Sequence, residues 1–227
     1  MLKERLKQVG NLVQEDSLID IGTDHGYLII DLLKKQAINS AMAVEITTGP
    51  LTNVETNVKN NRLTSKVECV LSDGLKRVSS ESASNYQAIS ICGMGGALIA
   101  KIITDSLDKC QDKTLYLQPN NGEPILRERL VELGFTITDE LVIVDNDIFY
   151  EIIKAIPGQS NLSAEELYFG PINLQQRTAT FVAKHQEHYN HLMKINAQLL
   201  ENNKENQKII NELALIKGVL SEIIEDN

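Results

Sequence analysis

The chain has 227 residues, 42% of them hydrophobic, with 22 basic against 31 acidic side chains and a formal net charge of −9. That apolar fraction excludes global disorder, and the length suits one domain of about 150 residues with an appendage. The acidic balance weighs against non-specific polyanion binding. With no apolar run near the ~20 residues of a membrane span and no secretory leader, the expected address is the cytoplasm.

At the N-terminus Leu2, Leu6 and Val9, with Leu12 or Val13, recur at helical spacing among Lys3, Arg5 and Lys7. They predict a basic amphipathic helix that concentrates positive charge at one end of the chain. A short apolar strand, 18–22, carries Asp20 and breaks into Gly22-Thr23-Asp24-His25-Gly26 before an apolar-periodic helix over 26–36. A strand entering a helix through a glycine turn is where α/β proteins hold nucleotides. Dinucleotide sites carry a second glycine where this loop has Asp24. A carboxylate there repels a pyrophosphate and suits an ammonium or sulfonium centre, so the loop favours S-adenosylmethionine over NAD.

Strands and helices then alternate: strand 41–45 ending in Glu45, helix 49–61, strand 67–71 leading to Asp73 and Gly74, then a short helix. Strand 86–92 leads into Gly93-Met94-Gly95-Gly96 and a helix over 96–108, followed by strand 114–118 and helix 123–133. Alternation at this spacing predicts a parallel sheet with helices on both faces. Glu45 lies about 25 residues after Asp20, near the spacing at which such sheets hold ribose hydroxyls. The segments 135–144 and 148–156 are too close for a parallel crossover and must form a hairpin. A parallel sheet closed by one antiparallel strand near its end is the Rossmann-like layout of class I methyltransferases.

The turn Pro157-Gly158-Gln159-Ser160-Asn161 marks the expected boundary between a catalytic domain, 1–157, and a helical domain, 158–227. Ser163 with Glu166 predicts a capping box, and Gly170-Pro171 ends that helix. Beyond it a 3,4-spaced apolar seam runs from Leu192 to Ile223, interrupted at Asn202 and Asn206. It predicts an α-helical coiled-coil hairpin and favours a monomer over a dimerising coil. Cys69, Cys92 and Cys110 read as small buried thiols. His185, His188 and His191 read as a solvated helix face. No metal is expected. The pair Arg127 and Arg129 reads as local surface charge.

DIGTDHGYL at Asp20, Glu45-Ile46-Thr47-Thr48-Gly49-Pro50, SDGL at Ser72, GMGG at Gly93, LQPN at Leu117 and YEI at Tyr150 occur together and in order. As a set they resemble the bacterial tRNA N1-methyltransferases that modify adenine 22 in the D-arm, and the likeness extends over nearly the full length. The resemblance implies S-adenosylmethionine as cofactor and tRNA as partner, which makes Lys3, Arg5 and Lys7 candidate RNA contacts. Asp20 is then a cofactor-binding candidate, and the backbone at Gly22 with the side chains of Asp24 and His25 meets the methionine end. Glu45 holds the ribose, Asp73 with Gly74 reads the adenine, and Gly93 lets the cofactor lie flat. Asp24 is the candidate catalytic carboxylate, while Gln118 and Asn120 are candidates to hydrogen-bond the target adenine. The rival readings are an NAD-dependent dehydrogenase, and a non-catalytic cofactor-binding scaffold whose coiled coil recruits a partner.

Overall fold

A computed structural model describes residues 2–225 of the protein. Seven strands, β1 (Ser17–Ile21), β2 (Ser40–Glu45), β3 (Val67–Leu71), β4 (Ala88–Met94), β5 (Thr114–Pro119), β6 (Phe135–Asp145) and β7 (Ile148–Pro157), form one sheet. Its order is β3-β2-β1-β4-β5-β7-β6, and β7 alone is antiparallel to its neighbours. The one reversed strand follows from the turn at Asn146 and Asp147. Both take left-handed backbone angles (φ 53° and 61°), which a tight hairpin needs.

Side chains alternate across the strands and sort into two cores. Leu18, Ala41, Ala43 and Tyr116 pack against α1 (Glu4–Leu12), α2 (Tyr27–Lys34) and α3 (Thr48–Asn60). Ile19, Met42, Val44, Ile89, Ile91, Leu115 and Leu117 face α5 (Gly96–Asp105) and α7 (Glu123–Glu132) on the other side. Both faces being covered, β1 is buried at every position and reads as an apolar run apart from Ser17 and Asp20. Two short helices, α4 (Ser80–Ser84) and α6 (Leu107–Cys110), complete this layer. The single helix expected over 96–108 splits at Ser106, whose φ of −137° leaves the helical region.

The chain divides into two compact units, Met1–Ile172 and Asn173–Asn227. The boundary therefore falls later than the Pro157–Asn161 turn, and a buried ion cluster is the reason. Arg127, expected on the surface, is fully buried. Its Nε donates to Glu140 Oε1 at 2.8 Å, its Nη2 pairs with Glu151, and its Nη1 donates to the carbonyls of Leu167 and Tyr168 at 3.2 Å each. Glu140 also accepts from the backbone N–H of Ile172 at 3.0 Å. These bonds fasten α8 (Ala164–Phe169) and the turn after it to α7, β6 and β7. Gly170 has φ 89°, and a side chain there would collide with the cluster's charged atoms. The capping box at Ser163 and Glu166 is present.

In the second unit α10 (Ala179–Glu201) and α11 (Gln207–Glu225) form an antiparallel pair after the short α9 (Pro171–Gln176). His188 with Glu212 and Arg177 with Glu222 are paired at 2.9 Å. Asn203 takes φ 52°, and Asn206 Oδ1 accepts from the N–H of Lys208 at 3.1 Å, so the polar interruption becomes a turn and a cap. His185 departs from the expected solvated face: it is buried, with its ring 4.5 Å from that of Phe181. The helical period places 181 and 185 on one stripe, and that stripe is apolar.

The ion cluster gives a stability prediction. Arg127→Ala leaves two buried carboxylates without their cation, a loss of about 3–5 kcal/mol. Urea unfolding of the variant at neutral pH should show a lower midpoint by that equivalent. An unchanged midpoint would mean that the cluster is not a structural anchor.

Candidate functional site

Strand order reverses between β1 and β4, and the crossovers on either side run over opposite faces of the sheet. The loops at the carboxyl ends of these two strands therefore diverge and leave a crevice. Two cavities lie there and meet at Gly22. One, of about 360 Å³, is bounded by Lys3, Arg5, Leu6, Asp20, Gly22, Thr23, Asp24, His25, Tyr27, Leu28, Cys92 and Gly93. The other, of about 150 Å³, is bounded by Ile21, Val44, Glu45, Ile46, Ser72, Asp73, Gly74, Met94, Leu98 and Ile102 besides Gly22. The tertiary structure thus brings together ten of the residues singled out in the sequence: Lys3, Arg5, Asp20, Gly22, Asp24, His25, Glu45, Asp73, Gly74 and Gly93.

Gly22 takes φ 74°, and a side chain on it would collide with the thioether methyl of Met94. It is the point at which a ligand can cross from one cavity to the other against bare backbone. Asp20 sits beneath it, 4% exposed, accepting from Ser90 Oγ at 2.6 Å. Burial pushes its carboxyl up to about 7; the Ser90 hydrogen bond opposes the shift and the charge of Glu45 adds to it. Glu45 accepts from the backbone N–H of Asp24, a bond that ties the end of β2 to the glycine turn. Burial, with the nearby Asp24 carboxylate, holds the Glu45 carboxyl above its ordinary range. Asp24 itself has φ 56° and a largely exposed side chain 3.7 Å from His25 Nε2. Asp73 stands at the rim of the smaller cavity, 2.5 Å from Lys76 Nζ.

The loop after β4 is latched to the loop after β5. Asn120 donates from Nδ2 to the Gly93 carbonyl at 2.6 Å and from its backbone to the Met94 carbonyl at 2.7 Å, while Gly96 N–H donates to Asn121 at 2.8 Å. A side chain at Gly96 would strike the Gly122 backbone. Gln118 differs from the expectation that it touches a substrate. It is fully buried and donates to Asn120 Oδ1 at 3.3 Å, so it orients Asn120 from behind. Its inward orientation follows from the strand's alternation. Cys92 is not sealed in the core but lines the larger cavity.

Sequence reasoning missed Ser90, Met94, Ile46, Leu98, Ile102 and Tyr150. Ile46 and Leu98 are 64% and 50% exposed, an apolar excess at the smaller cavity suited to sandwiching a flat ring. An isoleucine directly after a strand-end acid was the available signal. Tyr150 was quoted within the YEI motif without a role, and it approaches the site on the reversed strand.

An acid at or beyond the end of each of three adjacent strands, a bare glycine crossing and an apolar slot define a nucleoside site of the Rossmann-like methyltransferase class. Comparison with known proteins narrows this. A family model described as tRNA (adenine(22)-N(1))-methyltransferase, TrmK, matches residues 18–218. The tRNA (adenine(22)-N(1))-methyltransferase of Bacillus subtilis strain 168 is 31% identical over 99% of this chain and 97% of its own. Sp1610 of Streptococcus pneumoniae, solved with S-adenosyl-L-methionine, superposes with a TM-score of 0.89 at 34% identity, covering 97% of this chain and 100% of its own. Mycoplasma capricolum TrmK, solved with S-adenosyl-homocysteine, gives 0.87 at 28%, covering 97% and 98%. The chain belongs to the tRNA (adenine(22)-N(1))-methyltransferase family.

The raised Asp20 carboxyl carries a stability prediction. Because its folded value lies above the ordinary 3.8, the fold resists its ionisation. The cost is absent below pH ~4, grows as pH rises, and is complete above 7, at most about 4 kcal/mol. Asp20→Asn, which keeps an acceptor for Ser90, should therefore raise the melting temperature more at pH 8 than at pH 5. Equal shifts at both would show that Asp20 ionises freely in the folded protein.

Proposed function

We propose that the protein methylates N1 of adenine 22 in the D-arm of tRNA, using S-adenosylmethionine. The observation that carries this is the pair of cavities meeting at Gly22, one apolar with two acids at its edge, the other lined by Asp20 and Asp24. The residues fit that cofactor: a bare glycine crossing for its sulfonium region, Glu45 for the ribose diol, and Asp73 with the Gly74 backbone for the adenine edge. Ile46 and Leu98 supply faces for the ring. Asp20 and Asp24 suit cationic groups at the methionine end, which a pyrophosphate-bearing NAD would not bring. When bound, S-adenosylmethionine supplies an electrophilic methyl group, so the protein needs no covalent nucleophile.

The protein's task is therefore placement. Adenine N1 is occupied inside a base pair, so the target must leave the stack. Asn120, bonded to Gln118 and to the Gly93 carbonyl, is the candidate to hydrogen-bond the extruded base. Methylation at N1 leaves a cation that is discharged by losing a proton from the exocyclic amine. Asp24 is the exposed carboxylate available to stabilise that charge or receive the proton. Lys3 and Lys7 are exposed for phosphate contacts; the Lys7–Glu4 pair at 3.1 Å is a surface pair worth little and readily exchanged. With a net charge of −9, recognition rests on RNA shape and a few placed cations. The α10–α11 seam is covered within its own unit, which supports a monomer. A tRNA substrate supports a cytoplasmic address. No helix among the described residues is long and apolar enough to cross a membrane, and they hold no metal-binding cluster.

Incubation with bulk bacterial tRNA and methyl-labelled S-adenosylmethionine, followed by nucleoside analysis, should yield labelled N1-methyladenosine. Cofactor binding without label in RNA would favour the scaffold reading. Glu45→Ala and Asp73→Ala should each weaken cofactor binding roughly ten- to a hundredfold by titration calorimetry, the equivalent of a lost charge-assisted hydrogen bond. Asp24→Asn should instead reduce turnover far more than cofactor affinity; equal losses would make Asp24 a binding residue. A chain ending at Ile172 should still bind cofactor but methylate tRNA poorly, and full-rate methylation by it would remove the helical unit from RNA recognition.

A further inference from the structure

Asp24 has a left-handed backbone, φ 56°, which a residue other than glycine adopts at a cost. Its carboxylate is largely exposed and lies 3.7 Å from His25 Nε2, too far for a hydrogen bond. The direction of that carboxylate is therefore set by the backbone of the 22–26 loop. Among the described residues, two side chains bond to this backbone from outside the loop. Glu45, at the end of β2, accepts from the Asp24 N–H. Asn57, in α3, donates from Nδ2 to the His25 carbonyl at 3.0 Å. Within the turn, Gly26 N–H donates to the Thr23 carbonyl at 3.0 Å and Thr23 Oγ1 to the Asp20 carbonyl at 2.8 Å. The helix α3 also forms the wall behind the loop. A Cβ built on Gly26 would stand 3.2 Å from Val54 Cγ1, and Val54 precedes Asn57 by one turn on the same face.

We propose that Asn57 is a positioning residue for methyl transfer: by holding the His25–Gly26 peptide it aims the Asp24 carboxylate. This rests on the role given to Asp24 above. The two latches are not equivalent. Glu45 also serves the ribose of the cofactor, so its loss weakens cofactor binding and loosens the loop together. Asn57 lines neither cavity and holds the loop from behind, at the residue after Asp24. Gly22, where the cofactor crosses, precedes the segment held by Asn57 and is tied separately, its N–H donating to the Val44 carbonyl at 2.9 Å. Loss of the Asn57 bond frees the His25 carbonyl and lets the turn relax towards less costly angles while the cofactor's cradle stands. The carboxylate then falls out of register with the target base, and alignment is most of what this reaction asks of the protein.

The test pairs titration calorimetry with tRNA methylation kinetics on the full-length protein. Asn57→Ala should bind S-adenosylmethionine within about threefold of wild type while its turnover falls roughly ten- to a hundredfold. Asn57→Gln, which keeps an amide donor on a longer stem, should recover much of the loss. The isosteric Asn57→Asp, which sets an acceptor against an acceptor, should not. A double-variant cycle decides between direct and indirect action. In an Asp24→Asn protein, Asn57→Ala should lower turnover by less than about a further twofold, because both changes remove the same interaction. Losses that multiply in the double variant overturn the proposal, since Asn57 then acts elsewhere. Equal losses of affinity and turnover in Asn57→Ala also overturn it and make Asn57 a support of the cofactor site. A lowered melting temperature with wild-type turnover reduces Asn57 to a packing residue, and the role of Asp24 survives if Asp24→Asn is slow. An Asp24→Asn protein that turns over at the wild-type rate removes the role of Asp24, and that of Asn57 with it.

Discussion

The reversal of strand order between β1 and β4 is the constraint on which the rest of the site depends. Right-handed crossovers carry α2 and α3 to one face of the sheet and α5 and α7 to the other. The two central loops must part, and the space between them cannot be filled by either helix layer. Everything placed at the carboxyl ends of β1, β2, β3 and β4 faces that space. Buried apolar strands end there in acids because the ends alone escape the two cores. Asp20 is the partial exception, an acid one residue inside the strand, and its raised carboxyl records the cost of that position.

Rigidity in the crevice comes from loops bonding to one another, not from any one loop. Glu45 is tied to the glycine turn through the Asp24 N–H, and Ser72 N–H is tied to the Glu45 carbonyl at 2.8 Å. Asn120 and Asn121 fasten the Gly93 loop from the fifth strand. Several of these bonds use backbone groups that the parallel ladder leaves free at strand ends. The glycines at 22 and 96 allow the loops to approach each other, or a ligand, more closely than side chains would permit. The site is therefore largely preformed, which suits a reaction that asks mainly for alignment.

Charge is distributed sparingly. The buried Arg127 is shared by Glu140 and Glu151, which overcome the cost of its burial and keep the guanidinium charged, while burial raises the Glu140 carboxyl. That cluster closes the first unit by drawing in the turn at Gly170, far along the chain from the nucleoside loops. Tyr150 and Glu151 are neighbours on β7 and so point to opposite faces, one to Arg5 and the other to Arg127. The short YEI segment thereby serves both the cavity and the anchor.

Much of this was legible in the residues alone. Strand-to-helix alternation, the glycine turn at Gly22, the acids at Asp20, Glu45 and Asp73 and the hairpin at Asn146 are local patterns, set by periodicities of 2 and 3.6 and by backbone angles few residues adopt. They determined the sheet, its single reversed strand and the cofactor cleft. What the chain could not disclose is which side of an element a polar residue faces when its partner is distant in sequence. Arg127 looked like surface charge because its counter-ions lie on two later strands, and the first unit ran past Pro157 for the same reason. Gln118 looked like a substrate contact, although the strand turns it inward behind Asn120. Arg5 was grouped with Lys3 and Lys7, although residues two apart on a helix lie about 200° apart, which puts Arg5 with Leu2, Leu6 and Val9. The helical period thus turned it inward, but only the packing of α1 beside β7 set it against Tyr150, 145 residues away, because long-range contacts decide what an inward-facing cation meets.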